Sequence, residues 1–158
     1  MKAATIHELK EELTHLPAAQ VLALCLRMAR FKKENKELLT YLLFEAHDEQ
    51  GYIENVKAYI DLQFGEIPPD NNLYLVKKSL RKVLRATNKY IRYTGDKTTE
   101  LTLLLYYCTK LKNSGIPIHM SAALSNIYES QLKKVNKIVP LLHEDLQYDF
   151  RREINRLL

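Results

Sequence analysis

The stretch "KKSLRKVLRATNKYIRYTG", residues 77–95, holds seven Lys or Arg and no acid. With Val76 set at 0° and about 100° added per residue, Leu80, Val83, Leu84, Thr87, Tyr90, Ile91 and Thr94 fall between roughly −40° and 80°. Lys77, Lys78, Arg81, Lys82, Arg85, Lys89 and Arg92 fall between roughly 100° and 240°. The two sets do not mix. The spacing predicts an amphipathic helix over 73–93 with a purely cationic outer face. Exposed helices usually interleave Glu with Lys, because opposite charges four apart stabilise them and like charges repel. Here Lys77/Arg81, Lys78/Lys82, Arg81/Arg85 and Arg85/Lys89 all repeat like charge. Some other term must compensate: acids on neighbouring helices, or an anionic partner.

The same period runs along the rest of the chain, and no stretch sustains the alternation of a strand. Helices are expected at about 5–15, 17–33, 36–47, 53–64, 73–93, 98–113, 121–139 and 141–158. Thr5 and Glu8 have capping-box spacing. The four glycines, Gly51, Gly65, Gly95 and Gly115, each fall where an apolar run stops. "GEIPPDNN", 65–72, reads as a loop. Two runs, "AAQVLALCL" (18–26) and "LTLLLYYC" (101–108), are apolar nearly all round. Both helices are expected to be central. A stripe from Leu124 to Ile154 stays in phase across Pro140, so 121–158 reads either as two helices or as one long kinked one. The fold class is all-α: a single domain over 1–158, an irregular bundle or array of seven to eight helices.

Composition bounds the function. At 158 residues with 46% apolar residues, the chain can bury a core without disulfides or metal. Cys25 and Cys108 lie in apolar runs and read as buried hydrophobes in a reducing, cytoplasmic compartment. No apolar run approaches the roughly 20 residues that cross a bilayer, so no membrane is expected. "MKAATIHELKEELTH" lacks the apolar core of a signal peptide. The net charge of +5 is unevenly placed. Residues 1–70 carry eight bases against twelve acids, 71–95 seven against none, and 96–158 nine against seven.

"LKEELTHLPAAQVLALCLRM" (9–28) followed by "ENKELLTYLLFEA" (34–46), with a helix ending like "VKAYIDL" (56–62), resembles the opening of small all-helical bacterial proteins that share a domain of unknown function. The resemblance implies an all-helical fold. It brings no catalytic residues.

Few positions offer chemistry. Four isolated glycines cannot build a phosphate-cradling loop, and no Gly-x-Ser-x-Gly elbow occurs. Both cysteines sit mid-helix, away from groups that would favour a thiolate. In "EAHDEQ" (45–50), Glu45, Asp48 and Glu49 share a helical face that His47 does not, and a solvated helix end is the simpler reading. Asp145 and Asp149 are four apart, with His143 off their face. No H-E-x-x-H or C-x-x-C is present. No catalytic residue, metal site or cofactor is therefore assigned.

What remains is the basic helix. Lys78, Arg81, Lys82, Arg85, Lys89 and Arg92 form a candidate anion- or partner-binding face. Arg27, Arg30, Lys32 and Lys33 add cations, and Tyr90 and Tyr93 could stack on bases, although tyrosines at helical spacing also serve as core edges. The expectation is a binding or scaffold protein acting through protein–protein contacts. Sequence-nonspecific nucleic-acid binding through 73–93 is the alternative, and an enzyme of unrecognised class the third reading.

Overall fold

The computed structural model describes residues 1–68 and 72–158, so residues 69–71 of the expected loop lie outside the described residues. The described residues form helices and no strand. The α-helices are α1 (Ile6–His15), α2 (Ala18–Phe31), α3 (Lys33–Thr40), α4 (Glu49–Gly65), α5 (Leu73–Thr94), α6 (Lys97–Asn113), α7 (Ala122–Ile138) and α8 (Glu144–Leu157). A π-helical turn, Tyr41–Glu45, follows α3, and 3₁₀ turns occupy Ile118–Met120 and Val139–Leu141. The all-α expectation holds. Residues 1–158 were expected as one domain; the chain groups into two compact units, Met1–Phe44 and Glu45–Leu158.

The larger unit is organised by α6. Leu101, Leu103, Leu104, Leu105, Tyr107, Cys108 and Leu111 are all buried, so the helix is enclosed rather than half-wetted. It packs against α4, α5, α7 and α8. α5 lays Val76, Leu80, Val83, Thr87 and Ile91 inward, within the arc expected from its periodicity. Polar groups in this core are satisfied. The Tyr107 hydroxyl donates to the Leu80 carbonyl at 3.1 Å, and the Thr87 hydroxyl donates to the Val83 carbonyl at 2.9 Å. Tyr128 donates to the Leu157 carbonyl at 2.8 Å and so ties the end of α8 to α7.

Local signals set the ends of the helices. The Asn72 side chain accepts from the amides of Tyr74 and Leu75, which starts α5. Gly95 takes φ 66° and ends it, a conformation that a side chain would strain. Asp96 then caps α6 by accepting from the Thr99 amide at 2.7 Å. Residues 121–158 form two helices, with the break at 139–143 around Pro140.

Two expectations need correction. Gly51 does not end a helix. It lies in the first turn of α4, against the Asp48 carboxylate that caps that turn, where a Cβ would collide with it. More consequentially, α2 is not a central helix: none of its residues is buried. Leu22, Leu24, Leu26, Met28 and Phe31 are exposed, Leu22 at 61% and Phe31 at 86%. In the smaller unit Tyr41 alone is buried. α2 packs on α3, and their junction is held by the Asn35 amide donating to the Met28 carbonyl at 2.9 Å. An apolar run earns burial only where other helices enclose it, and in this unit nothing encloses α2.

The ion pairs of the larger unit centre on Glu100. Lys97 and Lys134 each place Nζ 2.8 Å from one of its oxygens. Burial pushes the Glu100 pKa up, but the two ammonium groups outweigh it and hold the carboxyl below its ordinary value.

Two outcomes follow. Leu104→Ala should cost about 2–5 kcal/mol in urea denaturation, while Leu22→Ala should cost under about 0.5 kcal/mol. Because the folded-state pKa of Glu100 is depressed, its contribution is present above the ordinary carboxylate range and is lost as pH falls through the folded value. Glu100→Gln should therefore destabilise the protein at neutral pH, and the gap to the parent should close in acid, as read by melting curves across pH.

Candidate functional site

The cationic face of α5 faces outward. Lys78, Arg81, Lys82, Arg85 and Arg92 are exposed, and Lys77 and Lys89 are half-buried. Among the described residues no acid pairs with Lys78, Arg81, Lys82, Arg85 or Arg92. Asp61 and Glu49 of the larger unit are engaged elsewhere. Asp61 pairs with Lys110 at 2.8 Å and accepts from the Tyr106 hydroxyl at 2.8 Å. Burial and the Asp61 carboxylate together push the Tyr106 phenol up to about 12. Glu49 accepts from the Thr99 hydroxyl at 2.7 Å.

The structure divides the six candidate residues. Lys78, Arg81 and Arg85 line an open concavity of about 520 Å³ together with Tyr74, Lys77, Leu84 and Asn88. Lys82, Lys89 and Arg92 are not in its lining. Lys77 stands over the Tyr74 ring at 5.2 Å and Lys89 over the Tyr90 ring at 5.3 Å, within cation–π range. Tyr90 is not a free stacking platform, because it packs edge-on against Tyr59 and Tyr93 with centroids 5.5 and 6.3 Å apart. The exposed aromatic on this face is Tyr74, which the sequence reading did not single out. Of the added cations, Lys32 and Lys33 are taken up by Glu34 and Glu37 at 3.2 and 3.7 Å.

A second surface was not foreseen. Between α2 and α3 runs an apolar groove of about 160 Å³, lined by Cys25, Met28 and Ala29 on one side and Asn35, Leu38, Leu39 and Leu42 on the other. Cys25, expected to be buried, is exposed here. Cys108 is buried, and burial pushes its thiol up to about 12. The signal that could have revealed the groove was the width of the apolar arc of α2: Leu22 and Leu26 lie far around the helix from Leu24 and Phe31, more surface than one neighbouring helix can cover.

The acid–histidine segment 45–50 is divided by a helix start: Asp48 caps α4 and Glu49 binds Thr99. Among the described residues no three His, Cys, Asp or Glu side chains gather as a metal site would require. Neither described concavity is lined by a carboxylate or an imidazole. No described helix is long and apolar enough to cross a membrane. The chain matches no protein-family model, no curated protein and no solved structure.

Arg81 has Lys77 and Arg85 one turn away on either side. Arg81→Glu turns both like-charge pairs into opposite pairs and should stabilise the protein by up to about 1 kcal/mol in urea denaturation. An arginine held by a hidden acid would give the opposite sign.

Proposed function

We propose that this protein is a helical binding module that acts through protein–protein contact, with the α2–α3 groove as the docking surface. The observation that carries this reading is the groove itself: a continuous apolar face in a unit that buries only Tyr41. Leu22, Leu24, Leu26 and Phe31 on the same helix add exposed apolar surface beside it, and clustered exposed apolar surface marks docking sites. The groove runs between two helices, a geometry that suits the apolar edge of an amphipathic helix with anchors at i, i+3 and i+7. Specificity would come from the shape of the groove, whose lining carries no charge.

Helical peptides displayed on phage against the protein at nanomolar concentration should enrich that anchor spacing. The enriched peptides should slow alkylation of Cys25 and lose binding to Leu38→Glu. Enrichment indifferent to Leu38→Glu would show that docking occurs elsewhere.

The open face of α5 supports a second reading, binding of single-stranded nucleic acid. Four cations, Lys77, Lys78, Arg81 and Arg85, surround one concavity with an exposed tyrosine. A strand tracking them would neutralise about four phosphates, giving weak, sequence-tolerant binding with a slope of log K on log salt near −3. Fluorescence anisotropy with a labelled oligonucleotide at several salt concentrations checks this. Arg81→Glu with Arg85→Glu should abolish the signal without lowering the melting temperature.

A further inference from the structure

Resting on the reading of the α2–α3 groove as a docking surface, we infer that its occupant is helix α1 of a second copy of this chain, exchanged reciprocally in a closed dimer.

Helix α1 has what the groove requires, and among the described residues it packs extensively on no other element. It is 10 residues long, a length at which an isolated helix is marginal in water. Its start is well built: Thr5 and Glu8 cap each other reciprocally. Yet Ile6, Leu9 and Leu13, spaced i, i+3 and i+7, are all exposed on one stripe. A stripe of that spacing at the edge of a helix is the complement of a groove between two helices.

Charge makes the match directional. α1 carries Glu8, Glu11 and Glu12 against Lys10, with His7 beside Glu11. α2, α3 and the residue between them carry Arg27, Arg30, Lys32, Lys33 and Lys36 against Glu34 and Glu37. The opposite net charges of the two segments favour their encounter, while the uncharged lining of the groove receives the apolar stripe. Length also fits, since 10 residues of helix span about 15 Å and the 14 residues of α2 about 21 Å.

The link between donor and groove favours exchange over folding back. α1 and α2 are joined by Leu16 and Pro17 alone, both with extended backbone, ψ 145° and 148°. Pro17 fixes its own φ and keeps Leu16 out of the helical region. α1 therefore leaves α2 at a turn rather than continuing it, and none of its residues lines the groove of its own chain. Reciprocal insertion uses the same surfaces on both copies, closes under a two-fold axis, and leaves neither groove empty.

Cys25 lines the groove and Cys108 is buried, so the molecule carries one accessible thiol as a probe. Chains bearing Leu13→Cys and Cys25→Ala are mixed with parent chains and mildly oxidised. A disulfide joining the introduced thiol to Cys25 of the other chain is expected, as a covalent dimer containing one chain of each kind. Sedimentation should show a dimer for the parent and a monomer for Leu9→Asp with Leu13→Asp, whose melting transition is retained. At about ten times the dissociation constant, mass action should slow iodoacetamide modification of Cys25 roughly fivefold.

A parent chain that stays monomeric with freely reacting Cys25 would overturn the occupant but leave the groove as a docking surface for another protein. A monomer with protected Cys25 would overturn both readings, because the chain would be closing its own groove. A dimer that survives the double Asp change, or a parent dimer that gives no disulfide between the two kinds of chain, would also overturn the exchange.

Discussion

Everything in residues 45–158 depends on the enclosure of α6. A helix with leucine on every side has no stable place in water, so four other helices are committed to surrounding it. That commitment explains the polar details around it. Tyr107 is admitted to the centre because Leu80 offers its carbonyl. Glu100 is admitted at the edge because Lys97 and Lys134 reach it. Once α5 has given Val76, Leu80, Val83 and Ile91 to this core, its opposite side faces outward, and there seven Lys or Arg side chains stand with Tyr74.

The α5 face was legible because one helix sufficed to reveal it. Its apolar and basic sets separate by angle alone, and the buried residues fall inside the expected arc. Helix α6 was legible for the same reason. The corresponding reading of α2 failed, although "AAQVLALCL" resembles "LTLLLYYC" as a pattern. Both runs demand burial, but a sequence does not state whether the cover comes from the same chain. For α6 it does. For α2, among the described residues, the extensive cover comes from α3, and Leu22, Leu24, Leu26 and Phe31 are left exposed. The Cys25 expectation failed with it, since a thiol inherits the burial of its helix.

Other features were illegible because they are made by distant residues. Lys134 meets Glu100 from another helix, and nothing in the local sequence around either announces it. The segment 45–50 looked like the end of a helix until Asp48 proved to begin the next one. A carboxylate that accepts the Gly51 amide placed Glu49 and Gly51 in the first turn of a new helix rather than at the end of the old one. The aromatic of the α5 face was misassigned because Tyr90 was judged by its angle on its own helix, whereas its surroundings are set by Tyr59 on α4.

The uneven distribution of burial has a thermodynamic consequence. Cooperative unfolding requires that parts of a chain share a core, and here the core belongs to residues 45–158. The amides of α1, α2 and α3 sit in helices secured by little more than their own backbone bonds, so they should open by local fluctuation far below the global transition. A heat-capacity trace of an isolated chain then records one part of the molecule only. Whatever covers the first 44 residues determines whether they melt with the rest or long before it.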